Sequence, residues 1–367
     1  MYKTRALINL TALKHNIGIA RQLAGDHALM SVVKADAYGH GIRALLPTLT
    51  AHSDALAVAR LSEAVVIREA GYQGRLLLLC GVVDRAELQL VFQYHLDLAV
   101  HDTEQLSLLQ QHCHQNASRH TKANTLTLWP KLDSGMHRLG IPPEHFATAC
   151  RQLRELPCCG ELIAMTHFVC ADEPDNPRTT EQVACFNQCV SDGLVDNCSM
   201  ANSAALLGWP ATRTGWVRPG LMLYGVSPVN TATTPSLALQ PVMQLQAQVL
   251  ACRHIEAGDT VGYNDTWCAT RHSRIAYVGM GYADGYPVVW HSPPFVVFNG
   301  TQLPVIGRVS MDTIAIDCTD CLTSPQTGDW VELWGNHLPV NTVAQWAGTI
   351  PYELLTGVSS RVQRVYQ

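Results

Sequence analysis

The chain of 367 residues is 47% hydrophobic and 15% charged, with 25 Lys and Arg against 30 Asp and Glu and a formal net charge of −5. That hydrophobic content excludes a disordered chain, and the mild acidity excludes a broad electrostatic attraction for nucleic acid or anionic lipid. No apolar run approaches the roughly 20 residues of a membrane-spanning helix, and Met1-Tyr2-Lys3-Thr4-Arg5 opens neither the apolar stretch nor the cleavage site of a signal peptide, so a soluble, cytoplasmic protein is expected.

In chain order, Leu10, Leu13, Ile17, Ala20 and Ala24 fall at helical spacing, as do Leu106, Leu109 and Cys113 after His101-Asp102-Thr103-Glu104. Around them run eight short apolar segments: Ala28–Val33, Ala55–Ala59, Leu76–Cys80, Leu96–Val100, Leu126–Lys131, Leu162–His167, Cys198–Ser203 and Leu221–Val226. Near-continuous apolar runs are the pattern of strands buried on both faces of a parallel sheet. Eight strand–helix repeats predict an α/β fold built on a (β/α)8 TIM-type barrel. An open doubly wound sheet is the alternative, weakened because no dinucleotide-type glycine fingerprint follows the first run. In a barrel the chemistry lies at the C-terminal strand ends, which here read Lys34, Lys131-Leu132-Asp133, His167 and Asn202-Ser203.

The texture changes near residue 228. Pro228, Thr231–Pro235 and Pro241 form a breaker-rich link, followed by β-type segments at Val242–Cys252, Ile275–Met280, Phe295–Phe298, Leu303–Ile306, Thr313–Cys318 and Trp330–Trp334. Asn299-Gly300 between apolar runs signals a hairpin. The expected division is a barrel over 1–228 and a mainly β domain over 229–367. The 13 cysteines are odd in number and scattered, and Cys318/Cys321 has no second pair, so reduced, mostly buried thiols and no metal site are expected.

The segment most informative about chemistry is Ser31-Val32-Val33-Lys34-Ala35-Asp36-Ala37-Tyr38-Gly39-His40-Gly41. A lysine closing a buried strand either snorkels to solvent or is a desolvated amine with a lowered pKa, suited to forming a Schiff base. Gly39 and Gly41 permit a tight turn with close backbone approach to another segment.

Val33 to Gly41 resembles the pyridoxal-phosphate signature of alanine racemases, the fold-type III enzymes. The resemblance continues through Lys131 to Gly140, Thr166-His167-Phe168, Ala201-Asn202-Ser203-Ala204 and Val217-Arg218-Pro219-Gly220. It extends into the second half at Val261-Gly262-Tyr263, Gly281 to Pro287, Gly307 to Asp312, Pro351-Tyr352-Glu353-Leu354 and Ser359-Ser360-Arg361. Motifs in family order over both halves are specific in a way that one motif is not.

The resemblance implies pyridoxal 5′-phosphate as cofactor, bound to Lys34, and two-base racemisation of L- and D-alanine. Lys34 would act on one face of Cα, and Tyr263, presented across a homodimer interface, on the other. Taken alone, Tyr263 reads equally as a surface aromatic in a Gly-rich turn. Arg218 would donate to the pyridine nitrogen, keeping it unprotonated and the cofactor a restrained electron sink. Tyr38, Asn202, Ser203, the backbone at Gly220 and Leu221, and Tyr352 would bind the cofactor, chiefly at its phosphate. His167 would pack near the ring, although such a residue is otherwise a satisfied core histidine. Arg138 would contact the cofactor's phenolate oxygen or the substrate carboxylate, Met311 and Asp312 would bind substrate with backbone N–H groups reaching its carboxylate from the partner, and Tyr282 would line the approach. Lys131 would be carbamylated as a counter-charge to Arg138, the plain alternative being an unmodified lysine paired with Asp133.

Two positions depart from the family pattern. Asp36 stands where Asn is common; it either shares the side of Lys34 or caps backbone N–H groups. Leu79-Cys80-Gly81-Val82-Val83 lacks the aromatics that some relatives carry there. The implied activity supplies D-alanine for peptidoglycan or serves alanine catabolism. The alternatives are a racemase of broader specificity (serine or basic amino acids), a fold-type III decarboxylase, and a single-barrel cofactor-carrying protein, which would have no use for Tyr263.

Overall fold

The protein is described from a computed structural model that covers residues 3–115, 125–190, 193–229 and 238–367. Thr231–Pro235 of the expected link lies outside the described residues.

Two sheets organise the chain. The first is parallel and holds β2 (Ala28–Val32), β3 (Ala55–Val58), β4 (Arg75–Leu78), β5 (Asp97–Val100), β6 (Leu126–Pro130), β7 (Cys159–Met165), β8 (Asn197–Ser199) and β9 (Trp216–Val217). Successive strands pair in chain order, and β9 pairs with β2. The circle closes between β8 and β9 through Ser199 Oγ donating to the Trp216 carbonyl at 2.7 Å and Arg218 N–H donating to the Ala201 carbonyl at 2.8 Å. Most strand residues are buried, as the continuous apolar runs require. Helices wrap it: α1 (Leu10–Ala24) buries Leu13, Ile17, Ala20 and Ala24 of its predicted stripe, and α6 (Thr103–Gln115) buries Leu106, Leu109 and Cys113.

One predicted strand is corrected. Leu221–Val226 is not the eighth strand: Leu221–Tyr224 forms a 3-10 turn between Gly220 and Gly225, all four residues buried. A short run buried on all sides has no periodicity, so sequence does not separate strand from turn there. The closing strand is the two-residue β9 just upstream.

The second sheet runs β11 (Ser273–Val278), β14 (Ile314–Asp317), β13 (Thr301–Ile306), β12 (Phe295–Phe298), β15 (Trp330–Trp334) and β10 (Met243–Ile255), and β10 pairs again with β11, so six antiparallel strands close on themselves. β12 and β13 form the predicted hairpin, with Asn299 and Gly300 at φ 48° and 79°, the positive pair that a tight right-twisted hairpin needs. β1 (Thr4–Ile8) does not belong to the parallel barrel; it pairs antiparallel with β10 and parallel with β16 (Gln363–Tyr366). The first and last strands thus lie side by side on the β domain. All 13 cysteines are free thiols: four are buried, seven half-buried and two exposed, fewer buried than expected. Among the described residues no group of His, Cys, Asp and Glu is arranged to hold a metal ion, and no helix is long and apolar enough to cross a membrane.

Candidate active site

Lys34 stands immediately beyond β2, at the C-terminal end of the barrel. The next four residues, Ala35, Asp36, Ala37 and Tyr38, all have φ of 53–54°, and Gly39 follows at φ 81°. A left-handed run of four non-glycine residues costs on the order of 1–2 kcal/mol per residue, so it persists only where other groups enforce it. Glu63 accepts the Ala35 N–H at 2.6 Å, and also the N–H groups of Ala59 and Arg60 at 2.9 Å each. Asp36 Oδ1 accepts the Ile42 N–H at 2.8 Å; of its two sequence readings, the backbone cap is the one adopted. From the far end of the chain, Arg364 Nε donates to the Gly39 carbonyl at 3.2 Å. The approach that the glycines allow is to the C-terminal segment: a Cβ at Gly39 would lie 2.1 Å from the Leu355 carbonyl oxygen, and one at Gly41 2.0 Å from the Tyr366 hydroxyl.

The turn delivers Lys34 half-buried and Tyr38 buried. Burial lowers the Lys34 pKa, and the charge of Arg138 lowers it further, while Cys80 and Glu63 oppose the shift. Lys34 is therefore a desolvated amine at a barrel mouth and not a lysine that escapes to solvent.

Tyr38 stacks on Tyr224 with ring centroids 4.7 Å apart, and Tyr352, carried by α11 (Pro351–Gly357) of the β domain, sits tilted at 6.0 Å. The Tyr38 hydroxyl lies over Gly220, where a Cβ would come within 2.4 Å of it. Gly220 N–H donates to Ser203 Oγ at 2.8 Å, and Met222 N–H reaches the same oxygen at 3.4 Å. Among the described residues the Tyr38 hydroxyl and the Leu221 N–H have no hydrogen-bond partner in the chain. The Tyr38 and Ser203 hydroxyls thus meet at Gly220, beside the Leu221 N–H, a donor set suited to a phosphate dianion. Asn202 Oδ1 caps the helical turn Ser203–Gly208 by accepting the Ala205 N–H at 2.9 Å, which fixes Ser203.

Arg218 is buried at 4% exposure, and burial takes its pKa down to about 10. It donates to Ser199 Oγ, to the Thr166 carbonyl at 2.5 Å and to the Met200 carbonyl at 3.3 Å, and among the described residues no carboxylate pairs with it. A buried cation without a counter-anion is costly unless a ligand acceptor completes it. His167 is held well below its usual pKa by burial and by the charges of Arg218 and Lys131, so it is a neutral imidazole beside the guanidinium.

Lys131 is 7% exposed, and burial together with Arg218, Arg138 and Lys34 pushes it down to about 8. The pairing with Asp133 is corrected: Asp133 accepts the backbone N–H groups of Gly135, Met136 and His137 at 2.9–3.1 Å and contacts the His137 ring. The charges that bear on Lys131 are cations, opposed among the described residues by the Cys80 thiol alone.

Tyr263, Tyr282, Met311 and Asp312 are not brought to Lys34 within the chain. They lie on the β domain as an exposed set, at 68%, 44% and 52% exposure for the first three. The Tyr282 and Ala283 N–H groups bond the Ser310 and Met311 carbonyls at 3.1 Å, and a Cβ at Gly262 would touch Arg308 N at 3.4 Å, so the loops are neighbours. Arg361 ties them, donating to Asp312 at 2.5 Å and lying 3.4 Å from Asp284. The N–H groups of Met311 and Asp312 find no acceptor within the described chain. Sequence reasoning missed Glu63, whose signal was a carboxylate three residues into a helix start, and Ser199, which had none.

Comparison with known proteins matches residues 8–228 to the alanine racemase N-terminal domain family and residues 242–366 to the alanine racemase C-terminal domain family. A catabolic alanine racemase from Pseudomonas aeruginosa is 42% identical over 368 residues, covering 100% of this chain and 99% of that protein. The crystal structure of a biosynthetic alanine racemase from the same species superposes with a TM-score of 0.93 at 40% identity, covering 100% of both chains. An alanine racemase from Bartonella henselae, solved with covalently bound pyridoxal phosphate, superposes with a TM-score of 0.91 at 29% identity and the same coverage.

Proposed function

The chain belongs to the alanine racemase family, pyridoxal-phosphate-dependent isomerases, and on that premise we propose that it interconverts L- and D-alanine with Lys34 and the partner subunit's Tyr263 as its two proton-transferring groups. The observation that carries the reading is the desolvated Lys34 amine beside a cradle of hydroxyls and N–H groups at one barrel mouth.

Bound pyridoxal phosphate supplies covalent attachment and an electron-withdrawing ring that acidifies the α-proton of the amino acid. Tyr38, Ser203, Tyr352 and the backbone at Gly220 and Leu221 would hold its phosphate. The donor set fits the group: the space above Gly220 is bounded by the Tyr38 hydroxyl and leaves no room for a Cβ. Arg218, always charged and a donor only, would face the ring nitrogen, with neutral His167 beside it.

A base must be unprotonated to accept a proton. Burial and the Arg138 charge both favour the neutral Lys34 amine, which matches that role. Tyr263 is exposed on the β domain with Tyr282, Met311 and Asp312, and in the proposed symmetric dimer that set would lie over the partner's barrel mouth. Tyr263 then acts on the face opposite Lys34, the unpartnered N–H groups of Met311 and Asp312 take the substrate carboxylate with Arg138, and Tyr282 narrows the approach. Lys131, displaced toward its neutral form among cations, is the site at which a carbamate would supply the missing counter-charge for Arg138. The proposed domain division is 1–228 and 229–367, with the first strand lent to the β domain. The proposed setting is the cytoplasm, with D-alanine destined for the cell wall or alanine for catabolism.

Incubation of the cofactor-loaded protein with L-alanine in heavy water tests this. D-alanine carrying deuterium at Cα is expected. Deuterated L-alanine alone would remove Tyr263 from its role, and no exchange with alanine but exchange with serine or lysine would replace the substrate.

A further inference from the structure

His40 belongs to the signature segment, yet nothing in the reaction uses it. It is fully buried, and its Nδ1 lies 2.9 Å from the Ala37 carbonyl and 2.9 Å from the Tyr38 carbonyl. Both neighbours are acceptors, so Nδ1 carries the proton. Among the described residues Nε2 is buried without a partner, which leaves no acceptor for a second N–H, and burial lowers the ring's pKa to about 4. The imidazole is thus neutral and fixed in one tautomer.

The two carbonyls it bridges belong to the left-handed run, whose conformation no residue in it favours. The His40 ring also stacks on Tyr224, at 4.7 Å and 29°, the same ring on which Tyr38 stacks at 4.7 Å and 28°. Tyr224 is 1% exposed, and its hydroxyl donates to the Val32 carbonyl at 3.1 Å, two residues before Lys34. One buried unit therefore touches the chain on both sides of Lys34: at Val32 before it, and at Ala37 and Tyr38 after it.

We propose that His40 and Tyr224 are positioning residues for the cofactor, holding the Lys34 amine and the Tyr38 hydroxyl in register by locking the left-handed turn from behind. The inference rests on the reading of Lys34 and Tyr38 as cofactor-holding groups. It assigns His40 the work of a neutral hydrogen-bond donor, with no proton transferred at any step.

Three variants separate this from plain core packing. Tyr224→Phe keeps the ring and loses only the bond to Val32; His40→Phe keeps a ring and abandons two carbonyls; His40→Asn restores a donor near Nδ1 without the ring. Each apo chain is titrated with pyridoxal 5′-phosphate, following the visible absorbance of lysine-bound cofactor, alongside circular dichroism and thermal melting. Tyr224→Phe is expected to raise the cofactor Kd about 5-fold, the worth of one buried hydrogen bond. His40→Phe should raise it tenfold or more and lower kcat more than it raises KM, and His40→Asn should recover most of that loss. Unchanged cofactor Kd in Tyr224→Phe and in a folded His40→Phe, with only the melting point lowered, would reduce both residues to packing and overturn the proposal. If His40→Phe does not fold, Tyr224→Phe alone decides. Cofactor uptake by Lys34→Ala with an unaltered spectrum would instead remove the site reading on which this rests.

Discussion

Gly220→Ala probes the phosphate cradle with a single methyl group. Gly220 has φ −127° and ψ −88°, outside the helical and extended regions that alanine prefers, so the substitution carries a backbone cost. To this it adds contact: the new Cβ would lie 2.4 Å from the Tyr38 hydroxyl oxygen, 3.1 Å from the ring carbon bearing it and 3.5 Å from Val32 Cβ. Ordinary contact begins at 3.4 Å, so the hydroxyl must retreat by about 1 Å. Tyr38 has little freedom to do so, because its ring is stacked on Tyr224 and its backbone is held in the left-handed turn. Overpacking of this kind costs about 1–3 kcal/mol. Either Tyr38 swings out of the cradle or Gly220 shifts and loosens its N–H from Ser203, and both routes weaken the hold on the bound phosphate. A rise in cofactor Kd of about 5- to 150-fold follows. Global stability should fall as well, because the narrowing of the unfolded ensemble by Gly→Ala, worth at most about 1 kcal/mol, offsets only part of that cost. The assay is cofactor titration of the apo chain with a parallel thermal melt. A double variant with Tyr38→Phe removes the clashing oxygen, so Gly220→Ala should add little on that background. Wild-type cofactor affinity in Gly220→Ala, or full additivity in the double variant, would refute the placement of Tyr38 over Gly220.

Gly39→Ala combines φ of +81° with a Cβ 2.1 Å from the Leu355 carbonyl oxygen, and should destabilise the folded chain by about 3 kcal/mol or more in urea denaturation while releasing cofactor. Lys131 reacts with carbon dioxide only as a neutral amine, and its pKa lies at about 8 as the lysine, so carbamylation should fall away as the pH drops below that value. Intact mass after rapid quenching at pH 7 and pH 9, with and without bicarbonate, reads this directly; a bare amine at both would leave Arg138 without the proposed counter-charge.

The residues at the strand ends were legible because a polar side chain that closes a fully apolar run must be either solvated or engaged by another group: Lys34, Lys131, His167 and Ser203 were found in that way. The β domain was legible from its hairpin and its alternating segments. Leu221–Tyr224 was not, since a fully buried 3-10 turn leaves the same apolar record as a short strand. Nor was the left-handed run legible, because Ala-Asp-Ala-Tyr contains nothing that prefers positive φ. Its causes are tertiary: Glu63, Arg364 and α11 enforce it from distant parts of the chain. The Lys131–Asp133 pairing failed for a local reason, as Asp133 has three nearer N–H groups to satisfy.

What one chain's geometry leaves apart is the proposed second base. Lys34 lies at the barrel mouth, whereas Tyr263 is two-thirds exposed on the β domain, near the N–H groups of Met311 and Asp312 that find no acceptor among the described residues. Neither half is a complete two-sided site, and the proposed symmetric dimer, with each β domain over the other barrel, would complete both at once. That arrangement has a consequence that a self-contained site lacks. Lys34→Ala and Tyr263→Ala each inactivate both sites of their own homodimer. In a mixed dimer the two lesions fall in the same site, and the other site is wild type. Random reassociation gives half mixed dimers with one working site in two, so roughly a quarter of wild-type activity should return on mixing. The measurement is racemisation by each variant alone and by a mixture unfolded and refolded together, with native mass spectrometry counting the mixed species. Mixed dimers without recovered activity would place Tyr263 and Lys34 in the same chain's site, because each site would then carry one of the two lesions, whereas undiminished activity of Tyr263→Ala alone would remove Tyr263 from the chemistry.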